Sequence, residues 1–168
     1  LEAPFTQEEI KDTIFSMPND KAPGPDGFTG IFFKECWEII KFDLIAAFNQ
    51  LHNLNAQQLN LLNSANIILI PKKMDAKHVG DYRPISLIHS FAKIFSKLLA
   101  NRLAPHLNRL VSNCQSAFIK QRCIQDNFLY VQSTVRRLHR LKKPALFLKL
   151  DIQKAFDTIN WSYLLEIL

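Results

Sequence analysis

Two groups of residues have types and spacing that could do chemistry. In "LFLKLDIQKAFDTINW", residues 146–161, strand-forming apolar side chains end on Asp151, and a second carboxylate, Asp157, follows six residues later. Alternation along a strand puts Phe147, Lys149 and Asp151 on one face and Leu146, Leu148 and Leu150 on the other. The leucines are then expected in a core and the carboxylate on a half-polar face that could be a site. An aspartate at a strand end also commonly caps the turn or helix that follows, and residue type alone allows either role. The second group is cationic. Lys72, Lys73 and Arg83 lie in "IILIPKK" and "DYRPISL", strand-like runs joined by a polar tip, and such a basic hairpin could fold over a triphosphate. Arginine supplies a planar fork for phosphate oxygens and lysine a mobile point charge. A surface pair of Arg83 with Asp81 or Asp75, worth little energetically, is the competing assignment.

These groups need elements to hold them. Thr6 and Glu9 are spaced as a capping box, and Phe5 and Ile10 as a hydrophobic staple, which predicts a helix from about residue 7 to Met17, stopped by Pro18. "KAPGPDG", residues 21–27, predicts a rigid turn; it lacks the GxxxxGKS/T order and a preceding strand, so it is a weak phosphate cradle. Apolar steps of three and four from Phe28 to about Leu54 predict one long amphipathic helix, and residues 55–64 a loop. Strands are expected over 65–73 and within 74–87, the second at an edge or bulge because of Pro84. A helix over 90–111 should be interrupted or kinked near Pro105. Another should run from about Ile124 to Leu141 with Phe128, Val131, Val135, Leu138 and Leu141 inward. The strand ending at Asp151 and a short final helix near Trp161 complete an α+β domain rather than a βαβ array.

Composition bounds the partners. The 168 residues, 48% hydrophobic, suffice for one domain with a real core. Cys36, Cys114 and Cys123 form neither a CxxC pair nor an even framework and have no histidine at zinc spacing, which argues against zinc and disulfides and for a reducing compartment. No apolar run reaches the roughly 20 residues of a membrane span, and the acidic start "LEAPFTQEEI" has no signal-peptide stretch. The chain opens on Leu1 rather than Met, so a piece of a longer protein is expected. The net charge of +6 is uneven: residues 1–66 carry four Lys/Arg against nine Asp/Glu, residues 67–168 seventeen against six. A polyanion would bind the basic part, which makes nucleic acid or nucleotide phosphate the leading partner class. "RRLHRLKK", residues 136–143, could equally be a solvated helix face.

Read together, "KAPGPDGF", "IILIPKK", "DYRPISL", "KIFSKLLANRL", "QSAFIKQRCIQDN" and "LKLDIQKAFDTINW" resemble the ordered blocks of reverse transcriptases of non-LTR (LINE-type) retrotransposons, of plant elements in particular, from about Phe5 to Leu168. The resemblance implies an RNA-directed DNA polymerase, a nucleotidyltransferase of right-hand fold. Residues 1–145 would form its fingers-like region and 146–168 the start of its palm. Asp151 is then similar to the first catalytic carboxylate, which binds both Mg²⁺ ions with the carbonyl of Ile152 as a further ligand. Two such ions, about 3.5–4 Å apart, activate the primer 3′-hydroxyl and stabilise the leaving pyrophosphate. Phe156 matches the aromatic beneath the incoming sugar that disfavours a ribose 2′-hydroxyl; a core aromatic is its alternative. Asp157 belongs to the same block without a chemical role and is expected to cap the helix near Trp161. Arg83 resembles the fingers arginine that grips the incoming dNTP, with Lys72 or Lys73 as its lysine partner. Gln115, Phe118, Lys120 and Arg122 would make backbone or stacking contacts to single-stranded template. Residue 121 is Gln where relatives commonly carry Gly, and its side chain could crowd that contact.

The implied partners are an RNA template, a DNA primer, dNTP and the remaining palm and thumb of the same polyprotein, with no membrane, in the nucleus or cytoplasm. The F/YxDD pair of aspartates that such a polymerase needs does not occur in residues 1–168. The chain alone is therefore expected to be inactive, to bind Mg²⁺ weakly through Asp151 and to be poorly soluble. The alternative is a non-catalytic remnant that binds RNA or an RNA–DNA hybrid by its phosphates.

Overall fold

Local signals place the first element correctly in the computed structural model, which describes residues 2–53, 62–152 and 158–167. Helix α1 spans Gln7–Ser16; Thr6 Oγ1 accepts from the Glu9 N–H at 3.2 Å, and the staple pair Phe5 and Ile10 is buried. The chain divides into two compact units, Leu1–Gln115 and Ser116–Leu168. Together the described elements are helices with one two-stranded sheet.

In the first unit, the single helix expected over Phe28–Leu54 is two: α2, Gly30–Glu35, and α3, Trp37–His52, interrupted at Cys36. Each is fixed by a different neighbour. At the start of α2 the backbone approaches α1's exit so closely that a Cβ on Gly30 would lie 2.3 Å from the Pro18 carbonyl oxygen, and Lys34 Nζ donates to the Met17 carbonyl at 2.6 Å. Helix α3 instead follows its apolar residues Trp37, Leu44 and Phe48 into the core. The two demands meet at Cys36, a break that apolar spacing does not encode. Strand β1, Ala65–Pro71, pairs antiparallel with β2, Tyr82–Ile88, across a tip containing a 3₁₀ turn at Val79–Asp81. Both strands are edges, so Pro84, opposite Leu69, is tolerated. Helix α4, Ser90–Leu103, gives way at Pro105 to a 3₁₀ turn and the short α5, Leu107–Leu110, as a missing N–H and ring clash require. The core joins Phe5, Ile10 and Ile14 to Phe33, Trp37, Leu44, Phe48, Ile94 and Leu98. Each such burial is worth roughly 1.5–3 kcal/mol.

The second unit carries α6, Ile124–Arg140, and α7, Trp161–Ile167. Helix α6 forms where expected, but its intended inner face is open: Phe128, Val135 and Leu141 are exposed, and no described residue of α6 is buried. The strand expected to end at Asp151 does not form: residues 144–152 hold no regular element, and Leu146, Leu148 and Leu150 are 93%, 70% and 81% exposed. A strand exists only through a ladder, and among the described residues none pairs with this segment. Asp157 and Phe156 lie outside the described residues; the cap at α7 comes from Asn160, whose Oδ1 accepts from the Tyr163 N–H at 3.1 Å. No described helix is long and apolar enough to cross a membrane.

Candidate functional site

The hairpin register fixes where its cations enter and leave the ladder. Ile70 opposes Arg83 and Pro71 opposes Tyr82, and the Lys72 N–H donates to the Asp81 carbonyl at 2.8 Å, so the ladder continues one step. Lys72 and Lys73 follow directly on the end of β1, and Arg83 is the second residue of β2. The tip is tied down locally. Lys72 Nζ donates to the Gly80 carbonyl at 2.8 Å, and Lys73 Nζ pairs with Asp81 Oδ1 at 3.0 Å. Asp81 Oδ2 accepts from the Lys77 and His78 N–H groups at 3.1 Å. The His78 amide, then Lys73 and the Lys77 amide, hold the Asp81 carboxyl below the usual range. Asp81 thus meets Lys73 rather than Arg83, the pair of the competing assignment, and Arg83 is exposed.

Residues 21–27, a turn without assigned chemistry in the sequence, grip the base of that hairpin. A Cβ on Gly24 would fall 2.2 Å from the Ile88 carbonyl oxygen, so only glycine lets the turn approach the end of β2. Asp26 Oδ2 accepts from the Ser90 N–H at 2.6 Å, Ser90 Oγ donates to the Phe28 carbonyl at 2.5 Å, and Lys93 Nζ donates to the Ala22 carbonyl at 2.8 Å. His89 lies between the two strand ends and the turn, with Nε2 3.0 Å from Ser64 Oγ and Nδ1 3.7 Å from Asp26 Oδ2. Asp26 and His89 are residues that sequence reasoning missed, because Asp26 meets Ser90 across 64 positions and no local pattern announces it.

The segment expected at the template is a tight series of turns. In the second unit, Phe118 is fully exposed at φ 64° and Gln121 stands at φ 70°; Lys120 is exposed and Arg122 half-buried. The left-handed backbone at 121 gives a conformational reason for a glycine there, independent of any template. Ser116 is buried with its Oγ accepting from Asn127 Nδ2 at 3.0 Å, which ties this segment to α6. Gln115 belongs to the first unit, where its N–H donates to the Ser112 carbonyl at 3.1 Å.

Asp151 and Ile152 are exposed and in no regular element. A carboxylate and a carbonyl are the donors a hard cation takes. Among the described residues, however, no three His, Cys, Asp or Glu side chains come together as a metal site, so these donors do not by themselves make a two-ion centre.

Comparison with known proteins gives this geometry a context. Residues 70–168 match the family described as reverse transcriptase (RNA-dependent DNA polymerase), a family that normally uses a divalent metal. The chain is 31% identical over 168 residues to the transposon TX1 uncharacterized 149 kDa protein of Xenopus laevis, covering all of this chain and 13% of that protein. It is 29% identical over 171 residues to the RNA-directed DNA polymerase from mobile element jockey of Drosophila melanogaster, covering 95% and 19%. It is 28% identical over 166 residues to the retrovirus-related Pol polyprotein from type-1 retrotransposable element R1 of Bradysia coprophila, covering 95% and 16%. The chain therefore spans less than a fifth of the length of each of these relatives.

Proposed function

Because the chain belongs to the reverse transcriptase (RNA-dependent DNA polymerase) family, with relatives among non-LTR retrotransposon enzymes, we propose that it supplies the fingers and first palm segment of an RNA-directed DNA polymerase. On this reading residues 1–145 act as the fingers and 146–168 as the start of the palm, in the nucleus or cytoplasm, and the wording of the blocks supports a plant element. The observation that carries it is an exposed Arg83 on β2 with Lys72 and Lys73 directly after β1, all three inside the family match. Arg83 offers its fork to the triphosphate of an incoming dNTP, and Lys72 the point charge beside it. Lys73, paired with Asp81, is the weaker candidate.

Phe118, an exposed aromatic, suits stacking on a template base, with Gln115, Lys120 and Arg122 as backbone contacts. Phe156 would stand beneath the incoming sugar. Asp151 and the Ile152 carbonyl contribute oxygen ligands to Mg²⁺, which supplies charge neutralisation at the transferring phosphate when bound. Further carboxylates, an F/YxDD pair of the same polyprotein, complete that centre, so these 168 residues alone do not extend a primer. The test is dNTP dependence in a polymerase that carries this segment with a full palm. Arg83→Ala should raise KM for dNTP about tenfold or more, equivalent to ~1.4 kcal/mol. Arg83→Lys should recover only part, because the fork is lost. An unchanged KM in Arg83→Ala contradicts the reading.

A further inference from the structure

The PGPDG turn does more than reverse the chain. We propose that Asp26 is a positioning residue for the basic hairpin: through the Ser90 amide and His89 it fixes the direction in which Lys72 and Arg83 are presented. The inference rests on the reading of that hairpin as the triphosphate grip.

The hairpin enters at Ser64–Ala65 and leaves at Ile88–His89, so its aim is set at this open end. Three contacts converge there. Gly24 abuts the Ile88 carbonyl, leaving no room for a Cβ. Asp26 Oδ2 takes the Ser90 N–H at 2.6 Å, which pins the first residue of α4 directly behind β2. His89 spans from Asp26 to Ser64, joining the exit of the hairpin to its entrance through one ring. Helix α4 is itself anchored in the core by Ile94 and Leu98, so the turn links the hairpin base to the buried core of the unit.

The Asp26 side chain is 14% exposed, and its Oδ1 is buried without a hydrogen-bond partner among the described residues, a costly arrangement for a carboxylate that a turn alone does not require. Serine, histidine and aspartate in this order also resemble a nucleophilic relay, but the 3.7 Å step is not a hydrogen bond, and Asp26 Oδ2 makes its short contact to Ser90 instead. The arrangement fixes position rather than moving protons.

The effect should fall on triphosphate binding. In the complete polymerase, Asp26→Ala should raise KM for dNTP about tenfold while kcat stays within about twofold, since a small misplacement of a gripping group is enough. Asp26→Asn keeps an acceptor for the Ser90 N–H and should restore most of the loss. A merely structural role would lower the folded, active fraction and so the apparent kcat, with KM unchanged; that result, or no change at all, overturns the proposal.

Arg83→Ala, measured in parallel, separates the two claims. If Arg83→Ala leaves KM unchanged, the grip reading has failed, and positioning is judged by distance alone. Spin labels at exposed Met74, on the tip, and exposed Ala46, on α3, in the same protein stripped of its other reactive cysteines, should give a broader distance distribution in Asp26→Ala. An unchanged distribution overturns the positioning role.

Discussion

Arg102 on α4 holds both carboxylate oxygens of Glu9 on α1, Nε to Oε1 at 2.6 Å and Nη2 to Oε2 at 2.8 Å, with its guanidinium 4.1 Å from the Phe5 ring centroid. Nη2 also donates to the Pro4 carbonyl at 3.0 Å. One side chain thus binds the helix, its cap region and the chain leading into it. Arg102→Ala should destabilise the fold by roughly 1–3 kcal/mol, as expected for bidentate charge-assisted bonds at a half-buried site. Urea unfolding of the two proteins measures this; a difference under about 0.5 kcal/mol would place Arg102 among ordinary surface cations.

The same pair predicts a pH dependence. The Arg102 hydrogen bond, then its charge and the Thr6 amide, outweigh desolvation and hold the Glu9 carboxyl below the usual range, while Arg102 is pushed up. A depressed carboxyl contributes fully above its unfolded value, about 4.3, and loses that contribution as pH falls through the folded value. Lowering pH below about 4 should therefore cost the wild type more stability than it costs Glu9→Gln. Parallel loss in both proteins would show that other groups govern acid unfolding.

Gln121 stands at φ 70°, where a side chain is strained. Gln121→Gly should stabilise the second unit by about 1 kcal/mol, because the left-handed backbone costs a non-glycine residue that much and outweighs the extra freedom glycine has when unfolded. Thermal unfolding of the pair reads the shift, and a lower midpoint in Gln121→Gly would contradict it.

What could be read from the sequence was what short-range chemistry dictates. Phe5, Thr6, Glu9 and Ile10 lie within six consecutive residues and announce α1; Pro105 announces the end of α4. The break at Cys36 was hidden because it reconciles neighbours far along the chain, Pro18 on one side and the core on the other. The leucines before Asp151 were read as buried, but their alternation specifies only a face, and a face is buried only when a ladder and a covering layer exist. Asp26 looked like any turn aspartate, since its partner Ser90 is near only in space. Lys72 and Arg83 stand out by type and block, whereas the pairing of Lys73 with Asp81 is visible only in the folded hairpin tip.

Lys72 and Lys73 should separate in the complete polymerase. Lys72 Nζ donates to the neutral Gly80 carbonyl at 2.8 Å, whereas Lys73 pairs with the Asp81 carboxylate at 3.0 Å. Lys72→Ala is expected to raise KM for dNTP about tenfold and Lys73→Ala less than about threefold. The reverse order would make Lys73 the gripping cation.

Whether this chain carries the first metal-binding carboxylate of an RNA-directed DNA polymerase turns on Asp151. The direct measurement is primer extension on an RNA template by the complete enzyme with Asp151→Asn, alongside binding of an RNA–DNA hybrid. If Asp151 is that carboxylate, extension is abolished while hybrid affinity is retained; extension at the wild-type rate would rule the assignment out.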